Sequence, residues 1–176
     1  MNKREIPKKN YFILLFIMLL TVALVFYLIS WYNTTKEYYK NNSVMMGFLA
    51  EIKPEEIENY LIDNPDIAIY IASSKDNDVK SFEKSFKKLI TEEEIKDNII
   101  YLDDFQITDD KFYNDLKSKY FSESLKSKNI NLITKSNIVI IEDKKIIDVL
   151  YKKESSIPKV RDVKNLFIKH GIILND

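Results

Sequence analysis

The segment Ile67-Ala68-Ile69-Tyr70-Ile71-Ala72 is an unbroken run of aliphatic and aromatic side chains that closely follows Pro65. A strand that is buried on both faces has such a continuous run, whereas a strand with one solvated face alternates apolar and polar residues. The run therefore predicts a strand in the centre of a sheet.

A helix is predicted shortly after this strand, over about residues 78–90. Lysines and glutamates fill one face of this helix, and the other face carries an apolar stripe formed by Val79, Phe82, Phe86, Leu89 and Ile90. A stripe at this spacing packs one side of a helix onto a sheet.

The flanking segments continue the alternation of strands and helices. Upstream, we predict a strand at residues 46–52 and a helix from Pro54 to about residue 63, since proline and acidic residues favour a helix start. Downstream, the predicted elements are a strand at residues 99–102, a helix spaced by Phe112, Leu116 and Tyr120, a hairpin of residues 137–142 and 145–151, and a helix from Pro158 to about Gly171. The order β-α-β-α-β-α-β-β-α predicts an α/β domain with parallel crossovers first and an antiparallel hairpin last.

The N-terminal part of the chain has the character of a membrane span. No residue from Asn10 to Thr35 is charged, and about 20 apolar residues at 1.5 Å per residue cross the roughly 30 Å hydrocarbon layer. We predict a transmembrane helix at residues 11–31. The alternative is a cleaved signal peptide, but its apolar region would be about 7 to 15 residues long and would end at small residues, whereas Tyr27 and Trp31 stand here.

Basic residues around this span predict its orientation. Four precede it and two follow it: Lys3, Arg4, Lys8 and Lys9, then Lys36 and Lys40. By the positive-inside rule, residues 1–10 form a cytoplasmic tail and the C-terminal domain is extracytoplasmic. Residues 32–45 are then a juxtamembrane stalk, and residues 46–176 are the soluble domain of a single-pass cell-membrane protein whose span contacts the lipid bilayer.

Two segments of the soluble domain resemble the thioredoxin fold. Residues 66–82 are similar to that family's central strand, active-site turn and helix, and residues 136–145 are similar to the strand after its cis-proline and the tight hairpin that follows. With the element order, the resemblance covers nearly the whole soluble domain. The chain resembles membrane-anchored thioredoxin-like proteins of low-GC Gram-positive bacteria, and this implies a central mixed sheet flanked by helices.

The sequence departs from this family where the family's chemistry lies. The chain contains no cysteine, and Lys75-Asp76-Asn77-Asp78 stands approximately where the family carries Cys-x-x-Cys. Ser136 is the expected occupant of the cis-proline position. Without a thiolate there is no disulfide exchange, no thiolate zinc site and no cysteine nucleophile. Thiol-disulfide oxidoreductase activity is therefore excluded, and no catalytic residue of the family can be carried over.

Other polar motifs have a structural interpretation that we prefer to the functional one. Asp76-Asn77-Asp78 is faintly similar to the start of an EF-hand loop, but Lys80 and Ser81 interrupt the calcium pattern, so a helix N-cap is favoured. His170 is the only histidine, and we expect it near a helix C-terminus, where the dipole favours a protonated imidazole. The acid pairs Asp103-Asp104 and Asp109-Asp110 are interpreted as solvated turns rather than as a cation or acid–base site.

Two Ser-x-x-Lys matches, at residues 81–84 and 85–88, lie on a predicted helix that supplies core phenylalanines. We attribute both matches to chance. We predict no catalytic, cofactor-binding or metal-binding residue, and no cofactor. The 27 basic and 27 acidic residues balance, and two glycines leave no glycine-rich phosphate loop. Nucleic acid is therefore not an expected partner.

These observations favour a non-catalytic, membrane-tethered domain that serves as a protein-interaction or accessory module for a membrane or envelope protein. A second hypothesis is an enzyme of non-thiol type whose polar site is built from loops; a deep pocket that collects Asp76, Asp78 and other polar groups would favour it. A third hypothesis is a scaffold whose domain faces the cytoplasm; the orientation predicted from the basic residues would then be wrong.

Overall fold

The computed structural model describes residues 8–41, 43–76, 78–105, 107, 110–128, 130, 132, 136–151 and 156–174. The chain divides into two compact units, Met1–Lys40 and Asn41–Asp176. Three sequence predictions involve residues outside the described ones: most of the N-terminal tail, Asn77 in the turn after the central strand, and Asp109 in the second acid pair.

The first unit contains most of helix α1, Lys8–Asn41. Its segment Lys9–Thr35, 27 residues long and wholly unburied, is long and apolar enough to cross a membrane, and it includes the predicted span. A signal sequence satisfies the same criteria of length and composition. Hydroxyl groups inside this segment bond to the helix itself, since Thr21 Oγ1 donates to the carbonyl of Ile17 at 2.9 Å. The predicted stalk begins as helix, because α1 runs on to Asn41.

The second unit is built on a five-stranded mixed sheet with the order β1-β3-β2-β4-β5. Strands β1, β3 and β2 are parallel, β4 is antiparallel to β2, and β5 is antiparallel to β4. The strands are β1 Ala50–Ile52, β2 Ile67–Ala72, β3 Ile99–Asp103, β4 Ser136–Glu142 and β5 Lys145–Leu150. The central position of β2 confirms the prediction from its apolar run, and all six of its residues are buried.

Helices cover both faces of this sheet. They are α2 Ile57–Asp63, which follows a 3-10 turn at Pro54–Glu56, then α3 Lys80–Glu92, α4 Lys111–Tyr120, α5 Glu123–Lys126 and α6 Val160–Lys169. Helices α3 and α6 pack on one face, and α2, α4 and α5 pack on the other. The predicted α/β class and element order are confirmed, and the single turn of α5 was not predicted.

The prediction of a first strand at residues 46–52 is wrong in its start. A turn occupies its first half, because the carbonyl of Met45 accepts the N–H groups of Phe48 and Leu49 at 2.9 and 3.0 Å. Gly47 adopts φ of +71° in this turn, a conformation that glycine tolerates without strain. The apolar residues before Ala50 therefore pack on the core from a turn rather than from a strand.

The hairpin between β4 and β5 forms without glycine. Asp143 and Lys144 have positive φ angles of 48° and 62°, as a two-residue hairpin turn of type I′ requires. The loop before β2 holds this turn, because Asp66 Oδ1 accepts the Asp143 N–H at 2.8 Å and the Lys144 N–H donates to the carbonyl of Pro65 at 3.0 Å. These two hydrogen bonds stabilise a turn of a type in which glycine is usually preferred.

Candidate functional site

The carboxyl ends of the three parallel strands lie at one edge of the sheet. Strand β1 ends at Ile52, β2 at Ala72 and β3 at Asp103. The helices that follow β2 and β3 pack on opposite faces, so the chain diverges between these two neighbouring strands. In open α/β sheets such a divergence at the carboxyl ends is where ligands bind, and we take this edge as the candidate site.

Asp103 ties two loops together at this edge. Its Oδ1 accepts the N–H of Ser74, in the loop after β2, at 2.8 Å and the N–H of Phe105 at 3.0 Å. The side chain therefore serves the local backbone and fixes the relative position of the two loops.

Asp104 is the most perturbed carboxyl at this edge. Its N–H donates to the carbonyl of Ala72 at 3.3 Å, and its Oδ2 accepts the hydroxyl of Tyr113, on α4, at 2.9 Å. Burial raises the pKa of Asp104 to about 6; the Tyr113 hydrogen bond opposes the rise, and the charges of Asp103 and Asp76 add to it. The prediction of a solvated turn is wrong for Asp103 and Asp104, because both are half-buried and hydrogen-bonded. Asp110, from the second acid pair, is exposed as predicted.

The turn after β2 contains a side-chain hydrogen bond to its own backbone. Asp76 Oδ1 accepts the N–H of Asp78 at 2.8 Å, which is an Asx turn. The predicted N-cap role is wrong, because Val79 occupies the N-cap position of α3 and makes no side-chain capping bond. Lys75 extends from the same turn to 6.0 Å from the ring centroid of Phe105. Ser136, 1% exposed, lies opposite Ala72 in the β2–β4 ladder beside this turn.

A buried carboxylate lies behind this edge, on the side of the sheet that α3 covers. Glu83 has no exposed surface. Its Oε1 accepts the hydroxyls of Ser43 at 2.7 Å and Tyr70 at 3.1 Å, and its Oε2 accepts the N–H of Val44 at 2.7 Å. Burial raises the pKa of Glu83, and these three hydrogen bonds together with the charge of Lys80 oppose that rise. The carboxylate thus fastens the first residues of the second unit to α3 and β2.

Sequence reasoning missed Glu83, although a signal was present. It assigned the glutamates of α3 to the solvated face. Glu83 lies four residues after Val79 and three before Phe86, and that spacing puts it inside the apolar stripe. A carboxylate in an apolar stripe is buried and needs hydrogen-bond donors.

His170 lies at the C-terminus of α6, as predicted, where it is the C-cap residue. Its Nε2 lies 3.0 Å from Asp148 Oδ2 and its Nδ1 lies 3.2 Å from Glu142 Oε1, on the hairpin strands. Lys169 Nζ contacts Asp148 at 2.6 Å, and the bonds from Lys169 and His170 outweigh burial and hold the pKa of Asp148 below its usual range. The carboxylate partners were not predicted.

Other sequence motifs do not converge on the strand edge. Within the described residues, no group of three or more histidine, aspartate or glutamate side chains is arranged to hold a metal ion. Ser81 and Ser85 of the two Ser-x-x-Lys matches are exposed on α3, and the Ser85 hydroxyl bonds to the carbonyl of Ser81 at 3.4 Å. Their arrangement is that of an ordinary solvated helix face.

No protein-family model matches this chain, and no curated protein matches it significantly.

Proposed function

We propose that this chain is a non-catalytic, membrane-tethered, thioredoxin-like domain that acts as a protein-interaction or accessory module at the extracytoplasmic membrane surface. The thioredoxin-like assignment is supported by the strand order β1-β3-β2-β4-β5, with three parallel strands and a C-terminal antiparallel hairpin. It is also supported by the distribution of helices, with α2 and α4 on one face and α3 and α6 on the other.

The observation that carries the non-catalytic part is the way polar groups at the strand edge are used. Among the described residues, Asp103 accepts backbone N–H groups from the loops after β2 and β3, and Asp76 accepts the N–H of Asp78. Carboxylates that serve the local backbone in this way position loops. Because the chain has no cysteine, the turn after β2 has no nucleophile for disulfide exchange. The edge therefore supports recognition by shape and charge rather than thiol chemistry.

The tether supports an interaction role. Helix α1 is long and apolar enough to span a bilayer, and we propose that it is retained with the N-terminus in the cytoplasm, in line with the basic residues that precede it. A domain held at a membrane meets other membrane proteins at a raised effective concentration, so a weak contact suffices. The proposed partner is therefore another membrane or envelope protein.

A second candidate function is acid–base catalysis centred on Asp104. The observation that favours it is a carboxyl whose pKa is raised to about 6 between two other aspartates at the carboxyl ends of the strands, a property that active-site acids share. A groove at the same edge is lined by Asp103, but Asp104, Asp76 and Asp78 do not line it. This groove therefore does not collect the acids that the hypothesis needs, and we rank it second.

The test of the proposed function is crosslinking in native membranes, followed by purification through a C-terminal tag and mass spectrometry. The matched control is residues 1–40 carrying the same tag, which reports association through the span alone. We expect a membrane or envelope protein that is reproducibly enriched with the full chain and absent with the control. Purification of the full chain alone would contradict the proposal and favour the acid–base candidate, and protease digestion of intact cells would establish which side the domain faces.

A further inference from the structure

Two open grooves flank the 3-10 turn Pro54–Glu56 on the surface of the second unit. One, of about 450 Å³, lies between the end of β1 and the end of β3 and is lined by Ile52 and Asp103 among others. The other, of about 230 Å³, lies between this turn and α4 and is lined by Tyr120. Pro54 and Glu55 line both grooves, so the two adjoin across the turn and form one surface, which we call the double groove.

The double groove concentrates negative charge. Two lysines, Lys53 and Lys119, line it together with six carboxylates: Glu51, Glu55, Glu56, Glu58, Asp103 and Asp115. The whole chain balances 27 basic against 27 acidic residues, so this excess of acid is a local property. A surface potential of one sign attracts partners of the other sign and speeds their association.

Apolar and aromatic side chains lie beneath the acidic rim. The buried side chains of Ile57 and Leu116 line the smaller groove, beside half-buried Phe112 and Tyr120. Buried Ile52 lines the larger groove. A ligand that combines apolar with positively charged groups would bury its apolar part here and leave its charges at the rim.

Three of the rim carboxylates are held in place by backbone donors. Glu51 Oε1 accepts the N–H of Gly47 at 2.8 Å, and Glu56 Oε2 accepts the N–H of Lys53 at 3.0 Å. Asp103 is held by two N–H groups, as described above. Groups that are fixed before binding lose less conformational entropy when a ligand arrives.

Lys119 does not block the smaller groove. Lys119 Nζ lies 3.5 Å from Glu58 Oε2, and both side chains are well over half exposed. An exposed ion pair of this kind is worth about 0–1 kcal/mol, so an incoming ammonium or guanidinium group can replace it.

From these observations we propose that the double groove binds a segment of the partner protein in which basic and apolar side chains alternate. The inference rests on the proposed function and specifies its contact surface. Two adjoining open grooves on either side of a turn suit an extended polypeptide, because consecutive stretches of one chain can lie in the two grooves. The basic residues pair with the rim, and the apolar residues cover the buried side chains below it.

The test uses the full chain in nanodiscs of zwitterionic lipid and a short fluorescent peptide of alternating lysine and valine, with empty nanodiscs as the background. We expect saturable binding that weakens as salt is added, because screening shortens the reach of charge to about 8 Å at physiological ionic strength. A peptide of alternating glutamate and valine should not bind. Equal binding of the two peptides would overturn the proposal.

Charge-reversal variants locate the site. Glu55 and Asp115 are exposed at the rim, and the double variant Glu55→Lys with Asp115→Lys should lose affinity for the lysine peptide at least about ten-fold at low salt. The matched control reverses two exposed acids elsewhere, Glu92→Lys with Asp97→Lys, and should leave binding within about two-fold. An equal loss of affinity in both variants would show that the peptide does not bind at the double groove. The neutral pair Glu55→Gln with Asp115→Asn should give an intermediate loss, which keeps the test decisive should the reversed chain fail to fold.

The failure of this inference is distinguishable from that of the proposed function. If crosslinking captures the same membrane protein with the wild-type chain and with the Glu55→Lys, Asp115→Lys chain, the double groove is not the contact surface although the interaction role stands. If the wild-type chain captures only copies of itself, and the reversed variant loses that contact, the occupant is a second copy and the proposal is wrong in its partner.

Discussion

Glu83 and Asp104 are two carboxyl groups that the second unit withdraws from water in different ways. Glu83 lies inside the layer between the sheet and α3, has no exposed surface and accepts three hydrogen bonds. Asp104 lies at the carboxyl edge of the sheet, is half-buried and accepts one side-chain hydrogen bond, from Tyr113. The first region is a closed network, whereas the second faces the loops.

We infer that Glu83 has a structural role, whereas Asp104 responds to pH. The neighbours of Glu83 are mainly donors, and their hydrogen bonds oppose the rise in pKa that burial causes. The neighbours of Asp104 include the charges of Asp103 and Asp76, which add to burial and raise its pKa to about 6. We therefore expect Glu83 to govern how stable the fold is, and Asp104 to govern how that stability varies with pH.

The largest expected effect is the replacement Glu83→Ala. It would leave the hydroxyls of Ser43 and Tyr70 and the N–H of Val44 buried without their acceptor. Leaving one buried donor without its acceptor costs roughly 1–3 kcal/mol, and three donors lose their acceptor here, so the total should be at least about 3 kcal/mol. We expect this loss in the free energy of unfolding of the second unit, measured by amide hydrogen exchange of β2 in the full chain.

The matched control for this replacement is Glu92→Ala, which removes an exposed glutamate from the same helix. Glu92 pairs with Lys88 at 3.6 Å, and both side chains are largely exposed, so a loss below about 0.5 kcal/mol is expected. Similar losses for the two variants would show that the three donors at Glu83 find water or other acceptors, and the contrast between the two regions would fail.

The second expected effect concerns the pH dependence that Asp104 confers. Its pKa is about 6 in the folded domain, against about 3.9 in an unfolded chain, so the folded state binds the proton more tightly. The stabilising contribution is complete below about pH 4 and is lost as the pH rises through about 6. Between these limits the wild-type domain should lose on the order of 2 kcal/mol more than an Asp104→Asn variant does.

Urea unfolding of the full chain, followed by near-ultraviolet circular dichroism at several pH values, measures this difference. Subtracting the Asp104→Asn curve removes the contributions of other groups, including Glu83, whose pKa burial also raises. Asp110→Asn is the control, since Asp110 is exposed in the same loop. A wild-type curve parallel to that of Asp104→Asn would mean that the pKa of Asp104 is the same in the folded and unfolded states.

The sequence predicted the framework around both regions better than it predicted the regions themselves. The apolar run of β2 and the stripe of α3 are local patterns that burial imposes on consecutive residues, and they located a central strand and its helix correctly. The first strand was misplaced because Gly47 reverses the chain within an apolar segment. The pattern of hydrophobicity alone does not distinguish a packed turn from a strand.

The chemical details depend on contacts that sequence spacing does not encode. Glu83 lies in the helical stripe and was within reach of sequence reasoning, but its donors Ser43 and Val44 come from about 40 residues upstream. The bond between Asp104 and Tyr113 depends on the path of the loop between β3 and α4. The contacts of His170 with Asp148 and Glu142 require α6 to pack against the hairpin.

The smallest expected effect concerns Tyr113, whose hydroxyl group donates a hydrogen bond to the side chain of Asp104. Tyr113→Phe removes the hydroxyl that lies 2.9 Å from Asp104 Oδ2. Hydrogen bonds to charged groups contribute about 1.5–3 kcal/mol and those between neutral groups about 0.5–1.5 kcal/mol. The destabilisation by Tyr113→Phe should therefore be about 1 kcal/mol larger at pH 7, where Asp104 is ionised, than at pH 5, where it is mostly protonated.

Tyr60→Phe is the control for that experiment, since Tyr60 is half-buried on the same face of the sheet and its hydroxyl makes no hydrogen bond within the described residues. Its cost should be small and equal at the two pH values. A cost of Tyr113→Phe that is also equal at pH 5 and pH 7 would mean that Asp104 has one protonation state at both. The contrast between Glu83 and Asp104 would then not extend to a dependence of stability on pH near neutrality.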